Sequence, residues 1–245
     1  MLGLSIFFFA AGRLQNNLGW LVLGISIVAL LLLFITTQIW FFIQIERNIM
    51  PQIHAWMIKK GRISSEDQIL LPYVGDSRLA EPLLKHLTVG KLWLVDVYTP
   101  QIMTSNTAGR MRITDTPPDK DTRLKSIPGS IDILPFQDAE LDVVILHHAL
   151  SEITQFGDRH RFLQEINRVL KPNGKLILLE PLKTQARIIV SPIDLYKLWN
   201  KSEWEYGLQI SGFVRVEIQT PSALTILGRA TIPGQYEAPQ LPLEF

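Results

Sequence analysis

There is no cysteine anywhere in the 245 residues, which excludes disulfides, thiolate metal sites and a cysteine nucleophile and leaves the redox compartment open. Charge is scarce and balanced: 24 Lys and Arg face 23 Asp and Glu, and charged residues make up 19% of the chain. The net charge of +1 excludes a nucleic-acid binder resting on bulk positive charge, and equally an acidic tail protein. The five histidines show no ligand spacing, so no metal site is expected. No motif places a Ser/His/Asp arrangement, and no internal repeat is visible. What the chain has in excess is apolar residues, 47% of the total with a mean hydropathy of +0.17. Whole-chain disorder is excluded, and a membrane segment is suggested.

The apolar excess sits at the start. Residues 18–45 open with LGWLVLGISIVALLLLF and, after Thr36, Thr37 and Gln38, continue through IWFFIQI without a charge. At about 20 apolar residues per bilayer crossing, this length predicts one transmembrane helix. Trp20 near one end, and Trp40 with Phe41 and Phe42 near the other, stand where interfacial aromatics are expected. The preceding segment, 1–17, holds the short apolar patch LSIFFFAA, too short to cross alone and suited to the interface. Before the helix stands only Arg13; after it come Arg47, Lys59, Lys60 and Arg62 against Glu46. The positive-inside tendency therefore predicts a single-pass membrane protein with its C-terminal domain in the cytoplasm. Residues 46–66 read as a juxtamembrane linker helix, either resting on an anionic leaflet or plainly connecting.

Residues 67–231 change pattern to short apolar runs alternating with helical periods. QILLPYV (68–74), KLWLVDV (91–97), LDVVILH (141–147) and KLILLEP (175–181) are strand candidates, with helices in RLAEPLLKHL and DRHRFLQEINRVL. Runs apolar on both faces, alternating with helices, predict an α/β doubly wound, mainly parallel sheet. GFVRVEIQT and ALTILGRAT, joined at Pro221-Ser222, read as an antiparallel pair closing the sheet. The polar stretch Ser105–Ser126 reads as a flexible excursion, and 232–245 as a Pro-rich extended tail.

IDILPFQDAELDVVILHHALSEI followed by RFLQEINRVLKPNGKLILLEP resembles the second half of class I S-adenosylmethionine-dependent methyltransferases, in the branch acting on quinones, sterols and other small molecules. Leu134-Pro135-Phe136, the Leu141-Asp142-Val143-Val144 strand, and Glu165 through Arg168-Val169-Leu170-Lys171-Pro172-Asn173-Gly174 fall in the family's order. The resemblance covers roughly residues 66 to 231. It implies a Rossmann-like seven-stranded methyltransferase sheet and S-adenosylmethionine as cofactor. Lys171-Pro172-Asn173-Gly174 has a structural task, ending a helix and turning the chain into the next strand.

Carried onto this sequence, the family's Gly-rich turn falls at Tyr73, Gly75 and Ser77, with its preceding carboxylate at Leu71; of the three glycines only Gly75 remains. Asp76 beside it reads either as a substitute carboxylate or as a turn former. Asp96 matches the acid that accepts the cofactor's ribose hydroxyls. The adenine contact falls near Ser130 and Ile131, with Asp132 as the alternative acid. His147 and His148 fall where cofactor and acceptor meet, His147 as a cofactor contact and His148 as a candidate base. Two functions follow from the resemblance and the helix. One is a membrane-anchored methyltransferase acting on a lipophilic acceptor of quinone, lipid or isoprenoid type. The other is a catalytically inactive, methyltransferase-like accessory or assembly subunit of a membrane protein complex, in keeping with the altered glycine turn.

Overall fold

The computed structural model describes residues 18–44, 50–103, 106–118, 121–184, 197–222 and 225–234. The apolar patch before Leu18 and the tail from 235 lie outside the described residues. The chain divides into two compact units, 1–52 and 53–245. The first holds helix α1 (Leu18–Gln44), 27 residues and about 40 Å long at 1.5 Å per residue. Trp20, Ile25, Val28, Leu33 and Trp40 on it are each more than half exposed. The hydroxyls of Ser26, Thr36 and Thr37 donate back to the carbonyls of Val22, Leu33 and Phe34 at 2.9, 2.9 and 2.7 Å, which satisfies them without water. The transmembrane span expected over 18–45 is not borne out: among the described residues, no helix is long and apolar enough to cross a membrane. The backbone is helical over all 27 residues, and their sequence contains no Asp, Glu, Lys or Arg.

Helix α2 (Met50–Lys60) runs from the end of the first unit into the second. Ile53 and Met57 on it are buried, so its apolar side is taken up by the second unit. It ends in a Schellman turn: Ile63 N–H donates to the Ile58 carbonyl at 3.1 Å and Arg62 N–H to Lys59 at 3.3 Å.

The second unit is a seven-stranded sheet in the order β3-β2-β1-β4-β5-β7-β6, with β1 (Gln68–Tyr73), β2 (Lys91–Asp96), β3 (Leu124–Pro128), β4 (Leu141–His147), β5 (Leu170–Pro181), β6 (Val214–Ser222) and β7 (Thr225–Thr231). The first five are parallel, and β7 runs antiparallel to both β5 and β6. Central strands apolar on both faces need cover on both faces. Helices α3 (Ala80–His86), α4 (Asn106–Thr114), α5 (Phe156–Val169) and α6 (Lys201–Ile210) accompany them. Phe162, Leu163 and Ile166 of α5 and Leu70, Val144 and Leu178 of the sheet join one buried core. Helix α6 starts with a capping box between Asn200 and Glu203.

The strand positions expected from periodicity are present, with β5 longer because the chain passes from α5 straight into it. Asn173 takes a left-handed φ of 63° there, the turn expected of Lys171-Pro172-Asn173-Gly174. The flexible excursion expected over Ser105–Ser126 is corrected: it contains helix α4 and the first residues of β3. Neither has the apolar periodicity that marks an element in sequence, since α4 reads NTAGRMRIT.

Register fixes the site. Tyr73 of β1 pairs with Asp96 of β2, and Asp96 with Pro128 of β3, so the carboxyl ends of three strands are level. On the β4 side, Leu134-Pro135-Phe136 is held to α5. Arg168 donates to Glu165 at 2.8 and 2.6 Å, to Asp138 at 2.7 Å and to the Phe136 carbonyl at 3.0 Å. Glu165 in turn accepts the Leu134 N–H at 2.7 Å.

Candidate functional site: the crevice at the carboxyl ends of β1, β2 and β4

In open α/β sheets, ligands bind where the strand order reverses, outside the carboxyl ends of the strands. Here that place lies between β1 and β4. After β1 the chain turns through Val74, Gly75, Asp76 and Ser77, all buried. Gly75 has φ +130°, a conformation reserved in practice for glycine. Asp76 forms the turn: one carboxylate oxygen accepts the Arg78 N–H at 3.1 Å, and the Arg78 guanidinium binds both oxygens at 2.9 and 2.7 Å. Burial alone would raise its pKa; the hydrogen bonds and charge of Arg78 outweigh that and hold the carboxyl below the usual carboxylate range. Its oxygens are committed to the turn, which is the structural of its two readings.

Asp96 stands at the end of β2 as expected, and it is already engaged. Arg112 of α4 donates to both its oxygens at 2.8 and 2.7 Å, the fork geometry that gives the strongest carboxylate pairing. One of those oxygens also accepts the Tyr98 N–H at 3.1 Å. The guanidinium lies between two rings, its carbon 5.2 Å from the centroid of Tyr73 and 4.7 Å from that of Tyr98. Burial and the Asp115 carboxylate push the Tyr73 phenol up to about 12, so it is neutral in ordinary conditions. Asp115, just beyond α4, accepts the Ser77 N–H at 3.2 Å. A Cβ placed on Gly75 would stand 2.8 Å from the Ala108 carbonyl oxygen and 2.9 Å from Arg112 Cγ. Helix α4 therefore covers both the glycine turn and the acid.

The remaining expected residues are spread along the same edge. Gly129 N–H donates to the Asp96 carbonyl at 2.9 Å. Ser130 follows, half-buried, its hydroxyl accepting the Asp132 N–H at 3.2 Å. Ile131 is fully buried in the core. Asp132 is exposed and lies 3.4 Å from Arg161. His147 ends β4, 2% exposed, 3.6 Å from Asp76 and without a hydrogen bond at either ring nitrogen among the described residues. Burial, with His148 next, pushes its pKa down to about 3, so it is neutral at ordinary pH and its approach to Asp76 is not an ion pair. His148 is half-buried with a left-handed φ of 56°, its ring 4.8 Å from that of His147. The histidines thus adjoin the β1 turn, while the ring of β2 and β3 groups gathers around Asp96.

As it stands, this arrangement is closed to an adenosyl cofactor, and Arg112 must leave Asp96 before a ribose diol can reach the acid. Both oxygens of the acid that would take a ribose diol are held by Arg112, and the space over Gly75 is filled by backbone of α4. Tyr73 stands in place of a glycine, and Leu71, fully buried, offers no acceptor. Sequence reasoning missed Arg112; its only signal is a basic residue following the acid in a stretch without periodicity.

The methyltransferase-domain family matches residues 74–178, and the family described as Anamorsin, N-terminal, matches residues 130–237. The ubiquinone/menaquinone biosynthesis C-methyltransferase UbiE of Shewanella sp. (strain W3-18-1) is 37% identical over 70 residues, covering 29% of this chain and 27% of that protein. The chain thus spans about a quarter of the length of the curated relatives it matches. Among solved structures, an S-adenosylmethionine-dependent methyltransferase from Aquifex aeolicus has a TM-score of 0.57 at 17% identity, over 73% of this chain and 89% of that one. The [4+2]-cyclase SpnF has a TM-score of 0.56 at 15% identity, over 75% and 80%. That a cyclase shares the fold separates fold from reaction. Residues 74–178 are thus similar to the methyltransferase-domain family, and the sheet that carries them has the fold of these solved structures.

Proposed function

We propose that this chain is a membrane-tethered, S-adenosylmethionine-dependent methyltransferase whose acceptor is a small lipophilic molecule of quinone, lipid or isoprenoid type. The observation that carries the reading is α1, a 27-residue helix with no charged residue and exposed aliphatic side chains, on the same chain as a methyltransferase domain. A helix of that kind, lying on the membrane without crossing it, would keep the domain near a substrate dissolved in the bilayer. The similarity to a quinone C-methyltransferase supports the acceptor class, and the basic residues after α1 support a cytoplasmic domain. His148, at the β4 end of the crevice, is the group offered as base for an acceptor that must lose a proton.

A second reading is favoured by the Arg112–Asp96 pair: a catalytically inactive accessory subunit of a membrane complex, its nucleotide acid permanently neutralised. Calorimetric titration of the full chain in neutral detergent with S-adenosylmethionine, followed by transfer of a labelled methyl group into lipid extracts, separates the two. Binding lost in Asp96→Ala, together with label in the lipid fraction, supports the enzyme. No binding up to about 1 mM, an interaction near −4 kcal/mol, overturns it in favour of the accessory reading.

A further inference from the structure

Between α2 and the antiparallel edge of the sheet, a cleft of about 370 Å³ is lined by Trp56, Lys59, Arg62, Glu217, Gln219 and Arg229. Three cations and one carboxylate meet there. Glu217 and Arg229 are direct cross-strand partners on β6 and β7 and offset each other's charge. Lys59 and Arg62 are left without a counter-ion among the described residues. Elsewhere on the domain, basic side chains are commonly paired, as in Arg123 with Asp121, Arg168 with Glu165 and Lys171 with Asp142. A cleft with two uncompensated positive charges matches a group carrying two negative ones.

The backbone of Arg62 supplies an independent observation. It occupies the left-handed position of the Schellman turn that ends α2, with φ +51°, where glycine is the usual residue. The neighbouring glycine, Gly61, does not fill that position. Its missing Cβ lets α2 approach β5, because a Cβ there would meet the Met57 carbonyl and the Ile177 side chain. The turn is fixed from outside as well, since Lys175 Nζ donates to the Arg62 carbonyl at 2.6 Å. A β-carbon held in a conformation that glycine adopts freely, at the mouth of a basic cleft, is the kind of local strain that accompanies binding sites.

We propose that this cleft binds a phosphate dianion, with Arg62 and Lys59 as its principal ligands and Arg229 completing the cradle beside Glu217. A phosphomonoester supplies that charge above its second pKa of about 6. The group can belong to a soluble phosphate ester or to a lipid headgroup; Trp56 provides an apolar wall in either case.

The test titrates the full chain in neutral detergent with glycerol 3-phosphate and, separately, with mixed micelles containing phosphatidic acid. Three variants are compared with the wild type: Arg62→Gly, Lys59→Gln, and Lys91→Gln as an exposed lysine outside the cleft. Arg62→Gly relieves the left-handed strain, so it folds at least as stably as the wild type, yet binding is expected to weaken tenfold or more. Lys59→Gln is expected to weaken binding severalfold, and Lys91→Gln less than twofold. Saturable binding of both ligands with this pattern identifies a soluble ester as sufficient. Saturable binding of the micelles alone, with the same pattern, identifies the headgroup as the source. The proposal is overturned if neither ligand binds the wild type, if Arg62→Gly binds as the wild type does, or if Lys91→Gln loses as much as Arg62→Gly.

Discussion

Replacing Arg112 by alanine is expected to tighten the binding of S-adenosylmethionine. The guanidinium occupies both oxygens of Asp96, so an adenosyl ligand must displace it before its ribose reaches the acid. The two side chains are 28% and 37% exposed, and a solvent-screened pair of that kind is worth at most about 1 kcal/mol. The two ring contacts, at 5.2 and 4.7 Å, add about 0.5 kcal/mol each at a partly exposed site. The closed arrangement is then favoured by about 2 kcal/mol, which leaves a few per cent of molecules open and lowers apparent affinity about thirtyfold. Arg112→Ala is expected to recover ten- to thirtyfold of that in a calorimetric titration. Arg112→Lys, keeping the charge without the fork, is expected to recover less. Raising the salt to about 0.5 M weakens the exposed pair and should tighten binding to the wild type but not to Arg112→Ala. Unchanged or weaker affinity in Arg112→Ala would refute the reasoning, because the arginine would then not compete with the ligand.

Glu180 is fully buried and accepts the N–H groups of Leu150 and Ser151 at 2.9 and 3.1 Å; burial nonetheless pushes its pKa up to about 7. A raised carboxyl contributes stability fully below its ordinary pKa of about 4.5 and loses it as pH rises through about 7. Chemical denaturation from pH 5 to 8 should therefore shift the difference between Glu180→Gln and wild type in favour of the variant, and a difference independent of pH would contradict it. Asn200→Ala removes the acceptor for the Glu203 N–H at 2.9 Å and should cost about 1 kcal/mol in urea unfolding. Gly75→Ala forces a side chain onto φ +130° and against the Ala108 carbonyl; it should destabilise by about 1–3 kcal/mol and speed hydrogen exchange in α4, whereas protected α4 amides would mean that the helix does not rest on the turn.

Hydrophobic runs made the sheet legible. QILLPYV and LDVVILH are buried on both faces in the structure, as uniformly apolar strands in a doubly wound sheet must be, and Asp96 stands at the strand end where its spacing put it. The antiparallel pair at the end of the sheet was equally readable, because GFVRVEIQT and ALTILGRAT are short, β-branched and separated by few residues. What the sequence did not disclose lies in Ser105–Ser126. A nine-residue helix without an apolar face leaves no periodic trace; it is docked by one ion pair, two ring contacts and backbone packing on Gly75. Those are pairings between residues far apart along the chain, and no local pattern encodes them. The strained conformations of Arg62 and His148 are hidden for the same reason, since neither residue type advertises a left-handed φ.

The clamp around Arg168 has a kinetic consequence for the crevice. Two carboxylates and two peptide carbonyls, those of Leu134 and Phe136, bind one guanidinium there, so the Leu134–Phe136 wall is a fixed jamb joined to the 14-residue helix α5. The opposite wall, α4, hangs on few attachments. Traffic through the crevice should therefore be governed by how often that one leaf swings, with arrival rates that plateau at high ligand concentration instead of rising without limit. A crevice with one fixed wall and one lightly attached wall would then load at a rate set by the protein, whatever molecule waits outside.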